Sequence, residues 1–258
     1  RDPEMSRGLG DVYKRQLAEG DWDGAFKAAK RVIDEGGYAV GTKSDLTGGM
    51  NSLDKQNVMW GAGIQVADQA GGYAGFFTHM DNKEGAYAKS APKLISKQLY
   101  NRISATDIRR DWWDPSDKES PYVSKKFSFA NMASFLGDYI YMRVEEMYFT
   151  AAEAALRLDD LKSARELMNT VMAERDPGYS ANNRSGTLLG ATTTTWTGSF
   201  LENILTHRRI ELWGEYGRLF DVRRLGQGID RRTDDGFSEE CISMMNRRNV
   251  NITKADTY

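Results

Sequence analysis

His207-Arg208-Arg209-Ile210-Glu211-Leu212-Trp213-Gly214-Glu215-Tyr216-Gly217-Arg218-Leu219-Phe220-Asp221-Val222-Arg223-Arg224 is the stretch whose reading decides the fold. Fixed charges at Arg208, Arg209, Glu211, Glu215, Arg218, Asp221, Arg223 and Arg224 alternate with Ile210, Leu212, Trp213, Leu219, Phe220 and Val222. The large apolar side chains need burial, so some charges must approach the core. There they have to be ion-paired and hydrogen-bonded, because an isolated charge in an apolar medium is prohibitively unfavourable. The spacing predicts helical pairs between Arg208 and Glu211 and between Glu215 and Arg218, each three residues apart. The segment therefore reads as a buried or half-buried ionic helix end, with Arg208, Arg209, Glu211, Glu215, Arg218, Asp221 and Arg224 forming a structural ion network.

Working upstream, helical periodicity recurs. Ile140, Val144, Met147, Tyr148, Ala151, Ala155 and Leu158 fall on one face, and Asp159-Asp160 turns the chain. Leu161, Ala164, Leu167, Met168, Val171 and Met172 then form a second stripe, and Pro177 ends it. So short a turn predicts an antiparallel pair across residues 138–175. Ala151, Ala152, Ala154 and Ala155 permit the close approach of a tetratricopeptide-type pair. A weaker copy runs over residues 20–35, where Trp22, Ala25, Val32 and Ile33 match Leu161, Ala164, Val171 and Met172 at constant separation. It reads as the second helix of another pair whose first helix is missing upstream. A further helix is expected over 199–216, capped by Ser199. Residues 36–137 and 176–198 read as long irregular segments, with a strand near Val58 to Val66, and 229–258 as a charged tail without a helix stop. The expected fold is mainly α, with tetratricopeptide-like helix pairs, long loops and little β.

The order of charges resembles the C-terminal signature of the SusD/RagB family, Arg-Arg-x-Glu-Leu-x-x-Glu-x-x-Arg-x-x-Asp-x-x-Arg, carried here by Arg208, Arg209, Glu211, Leu212, Glu215, Arg218, Asp221 and Arg224. His207 stands where the family often has Glu. Two further stretches fit the family. One is Tyr141-Met142-Arg143-Val144-Glu145-Glu146-Met147-Tyr148 followed by Ala151-Ala152-Glu153-Ala154, and the other is Ser90 to Arg110. The resemblance covers residues 17–250 and implies the C-terminal portion of a SusD-like domain, truncated at both ends. It also implies a surface lipoprotein of the Bacteroidetes outer membrane that binds oligosaccharide or polysaccharide without catalysis. Such a protein delivers its ligand to a SusC-like TonB-dependent transporter. The signal peptide and lipid anchor would belong to the N-terminal half. Residues 1–16 resemble translated adapter sequence and are set aside as a non-native or disordered leader.

Composition narrows the alternatives. Net charge is −2 over 258 residues and the sequence pI is about 5.9, which lacks the basic excess of a nucleic-acid binder. A single cysteine, Cys241, and two histidines, His79 and His207, leave no zinc site of Cys/His spacing, and no cofactor is expected. Cys241 reads as a small, partly buried residue. No phosphate loop or Gly-x-Ser-x-Gly elbow occurs. The 37 acidic residues contain no pair distinguished as glycosidase carboxylates, so no catalytic residue is assigned.

Aromatic residues on polar loops are the stronger lead, because sugar C–H faces stack on aromatic rings. Trp112-Trp113, before the turn signal Asp114-Pro115, and Tyr73, Phe76 and Phe77 on a glycine-rich loop are the expected ligand-binding residues. On a strand, at most one of Trp112 and Trp113 would face the core. Trp60 and Trp196 read as core or loop-packing residues. One stacked ring hiding about 50 Å² contributes roughly 1–1.5 kcal/mol, against an association cost of roughly 4 kcal/mol or more. Two or three platforms and an extended oligosaccharide are therefore required. The rival reading is a helical-repeat scaffold that binds protein and no sugar.

Overall fold

The computed structural model describes residues 12–68, 74–215 and 217–230. Tyr73, Tyr216, Cys241 and the tail from 231 onward lie outside the described residues. Among the described residues the fold is mainly helical with two small sheets. Its principal helices are α1 (12–19), α2 (Trp22–Glu35), α3 (Val144–Arg157), α4 (Leu161–Ala173), α5 (Phe200–Glu211) and α6 (Arg218–Arg224).

Helix α3 is the axis. Every residue from Val144 to Leu156 is buried except Tyr148, and α2, α4 and α5 pack around it. Its four alanines at 151, 152, 154 and 155 are at most 1% exposed, which is what lets the neighbours approach so closely. Asp159 in the left-handed region makes the α3–α4 turn, and Asp160 caps α4 by accepting from Ser163 N at 3.0 Å. Asp21 caps α2 through Gly24 N, and Ser199 caps α5 through Glu202 N. Each cap supplies a partner to an otherwise orphaned amide.

Four expectations need correction. Residues 12–16 belong to α1, and Tyr13 is fully buried in the helical core, so this part of the presumed leader is inside the fold. Helix α1 also stands where the first helix of the N-terminal pair was thought missing. The segment before Val144 is a strand: β4 (Tyr139–Arg143) pairs antiparallel with β1 (Val58–Ala62), matching Val58 with Arg143 and Ala62 with Tyr139. Helix α5 stops at Glu211, and Gly214 at φ 74° turns the chain before 216.

A second core lies under the long loops. Leu46, Met50, Phe77, Ile95, Leu99, Ile103, Trp112, Trp113, Phe127 and Ile210 fill it. The strands β2 (Trp113–Asp114) and β3 (Val123–Ser124) pair above it. The two cores meet where α5 ends.

Candidate functional site

An open cleft of about 480 Å³ lies against the β1–β4 ribbon, lined by Lys14, Met50, Trp60, Phe76, Phe127, Tyr139, Ile140, Tyr141 and Glu215. Val58 and Met59 are buried, and a register shift in β1 between Val58 and Trp60 leaves Trp60 38% exposed. Tyr141 leaves the neighbouring strand at 42% exposure, and the two rings stand edge to face with centroids 5.0 Å apart. Deeper in, Phe76 meets Phe77 and Phe127 edge-on, each at 5.2 Å, and its amide donates to Tyr139 Oη at 3.3 Å. The two strands approach so closely at this point that a Cβ added to Gly61 would sit 2.3 Å from Tyr139 O. The cleft thus offers two exposed aromatic faces on a braced strand pair. Among the described residues no group of three or more His, Cys, Asp or Glu side chains could hold a metal ion. No described helix is long and apolar enough to cross a membrane.

Glu215 forms the polar end of the cleft and belongs to a buried ionic cluster. Arg143 Nε donates to Glu215 Oε2 at 2.9 Å, and Lys126 Nζ donates to Glu215 Oε1 at 2.6 Å. Glu211 receives Arg109 at 3.1 Å, Arg143 at 3.0 Å and Arg175 at 3.0 Å. Arg175 also reaches Glu145 at 2.8 Å, and Arg109 reaches Asp107 at 2.6 Å. The cations Arg109, Lys126, Arg143 and Arg175 therefore face the carboxylates of Asp107, Glu145, Glu211 and Glu215, and the cluster is electrically balanced. Burial pushes the Glu211 carboxyl up, but Arg175, Arg143 and Arg109 outweigh it and hold the group well below the usual carboxylate range. Burial dominates for Lys126 and lowers its ammonium to about 8. His207 is driven well below its ordinary value, first by burial and then by Arg109, and so is neutral.

A second cluster adjoins through α5. Arg208 pairs with Glu146 at 3.0 Å and with Asp221 at 3.1 Å, while Arg224 pairs with Glu153 at 2.6 Å and with Asp221. The expected helical pairs do not form: Arg208 does not meet Glu211, and Glu215 does not meet Arg218. Arg208 turns instead toward Glu146 on α3 and Asp221, and Glu211 and Glu215 turn toward Arg143 on β4.

The aromatic expectations divide. Trp112 and Trp113 are 4% and 1% exposed and pack in the loop-side core, so neither is on an outer surface. The chain changes from a 3₁₀ turn at Trp112 to a strand at Trp113, which lets both rings point inward. Trp112 Nε1 donates to Leu46 O at 3.1 Å, and Trp113 lies edge-on to Trp213. Phe77 is likewise buried at 2%. Phe76 lines the cleft. Trp196 stacks under the Arg102 guanidinium at 4.4 Å. The exposed platform is Trp60, assigned to packing on sequence; simple alternation would place it with buried Val58, and the register shifts on either side of it in β1, which the sequence does not show, break that pattern.

The sequence profile of the SusD family matches residues 75–257. Among solved structures, the chain is similar to a SusD-like carbohydrate binding protein from Bacteroides vulgatus, at 26% identity and a TM-score of 0.67 over 86% of this chain and 46% of the other. It is similar in fold to a SusD superfamily protein from Bacteroides thetaiotaomicron, at 19% identity and a TM-score of 0.65 over 92% and 53% of the two chains. A third similar fold is the surface glycan-binding protein A from Bacteroides uniformis, at 17% identity and a TM-score of 0.56 over 89% and 50%. The chain spans about half the length of these structures. No curated protein matches it. On the extent of the profile match, the chain belongs to the SusD family.

Proposed function

We propose that this chain binds an oligosaccharide without breaking it, stacking sugar rings on Trp60 and Tyr141 with Phe76 and Tyr139 deeper in the cleft. The observation that carries this reading is the exposed Trp60–Tyr141 pair at the mouth of a cleft on a braced strand ribbon. Family membership supports it, as do the carbohydrate-binding and glycan-binding descriptions of two structural relatives. In the complete protein the ligand passes to a SusC-like TonB-dependent transporter at the outer-membrane surface, where a lipid anchor holds the binder.

Two exposed rings, each contributing roughly 1–1.5 kcal/mol, give weak binding that grows with the number of sugar units engaged. Calorimetry against a broad panel of plant and host oligosaccharides tests the reading. Trp60→Ala is expected to weaken binding about tenfold, the equivalent of one lost platform. Unchanged affinity in Trp60→Ala and Tyr141→Ala would remove the cleft from the site. Silence across the panel together with retained transporter binding would favour a protein-binding scaffold, and product release from any glycan would establish an enzyme.

A further inference from the structure

We propose that the groove on the far side of Glu215 holds the carboxylate of an acidic sugar unit, a uronate, with Arg218 as its principal partner. The inference rests on the sugar-binding reading above and names the ligand's chemical class.

The groove encloses about 630 Å³, within the range of small-molecule sites. Met80, Leu94, Leu212 and Trp213 supply apolar wall, and Lys93, Arg209 and Arg218 bring cationic side chains to it. Glu215 lines both this groove and the aromatic cleft, so the two sites are neighbours.

Arg218 is the anomaly that points to an anion. The other motif arginines with assigned carboxylates, Arg208 and Arg224, each hold two. Arg218, half-buried, has no ion pair among the described residues. Its surrounding carboxylates are committed elsewhere: Asp221 to Arg208 and Arg224, Glu215 to Arg143 and Lys126, and Glu202 to Arg102. Burial lowers the Arg218 guanidinium from its ordinary value even with Asp221 nearby, whereas Arg208 and Arg224 are raised by their partners. A desolvated cation of this kind is stabilised by an incoming anion, and a guanidinium fork fits a carboxylate bidentately.

Titration calorimetry on the full chain decides it. The probes are tetrameric fragments of galacturonan, glucuronan and mannuronan, each beside its carboxyl-reduced neutral form, and a hexaglutamate peptide. At least one uronate is expected to bind about tenfold more tightly than its reduced form. Arg218→Met is expected to erase that ratio, and Arg218→Lys to retain part of it. Equal binding of acidic and reduced forms overturns the inference and leaves the sugar reading standing. Binding of hexaglutamate but of no oligosaccharide overturns both and assigns the groove to an acidic peptide. If Arg218→Met fails to fold, Arg218→Lys supplies the comparison, and an acid-to-neutral ratio unchanged from the unaltered chain overturns the assignment to Arg218.

Discussion

Arg143 Nη1 lies 3.0 Å from Glu211 Oε1 and joins the last residue of β4 to the last residue of α5. The same guanidinium reaches Glu211 O at 3.0 Å and Glu215 Oε1 at 2.7 Å. It thereby satisfies a helix-end carbonyl as well as two carboxylates, and it sits between the aromatic cleft and the helical core.

Glu211 pairs with three arginines, more than any other carboxylate among the described residues. Glu211→Gln leaves Arg109, Arg143 and Arg175 buried with one charge too few. A loss of roughly 3–5 kcal/mol is expected, the scale of a broken buried ion pair, which is a large share of a domain's net stability. The folded carboxyl sits below its ordinary value of 4.5, so its contribution is full above that pH and is lost as pH falls through the folded value. Urea denaturation should show the gap between wild type and Glu211→Gln widest near neutrality and narrowing in acid. A pH-independent gap would disprove the assignment of its charge as the stabilising element.

Lys126 has the opposite balance. Its folded value of about 8 lies below the ordinary 10.5, so the charged form is disfavoured by burial. Between these values the unfolded chain binds more protons, and stability rises with pH. The contribution is full above about 10.5 and is lost as pH falls through about 8. Wild type should therefore gain stability relative to Lys126→Met between pH 7 and pH 10 in parallel denaturation series. A constant difference would show that Lys126 does not titrate in this window.

Trp113→Ala should act on stability. The side chain is 1% exposed and packs edge-on against Trp112 and Trp213. Truncation of such a side chain costs roughly 3–5 kcal/mol. Sugar affinity, measured at a temperature where the variant remains folded, should be unchanged. A large affinity loss in a fully folded variant would return Trp113 to the binding surface.

Gly214 closes α5 in a conformation that L side chains rarely adopt. At φ 74°, an added Cβ would lie 2.6 Å from the Phe127 ring and 2.8 Å from Met80 Cε. Gly214→Ala should lower the thermal midpoint, with about 1–2 kcal/mol coming from the backbone alone. An unshifted midpoint would mean that the turn relaxes without strain.

The tail motif was legible as buried charge because its apolar residues leave no alternative. Its partners were not legible, since Arg175, Arg143 and Arg109 stand 36, 68 and 102 residues from Glu211. A sequence reading sees only neighbours three or four apart, and so it paired Glu215 with Arg218. The α3–α4 pair was plain from periodicity and its Asp159-Asp160 turn. The start of α3 was misjudged because Ile140 satisfies a helical step as well as a strand one. Pairing with Val58–Ala62, far upstream, resolves the ambiguity. Trp112 and Trp113 were misplaced by assuming one uniform strand, whereas a change of backbone between them buries both.

The balanced cluster gathers side chains from Asp107, Arg109, Lys126, Arg143, Glu145, Arg175, Glu211 and Glu215, so its neutrality exists only when all these segments are present together. An intermediate holding the carboxylates without the distant arginines is penalised, and contacts so remote in sequence slow the search for them. The completed cluster thus requires segments from both the loop-side and the helical parts of the fold. Through Glu215 the same charges border the aromatic cleft, so one balanced set of side chains ties the two cores to that surface.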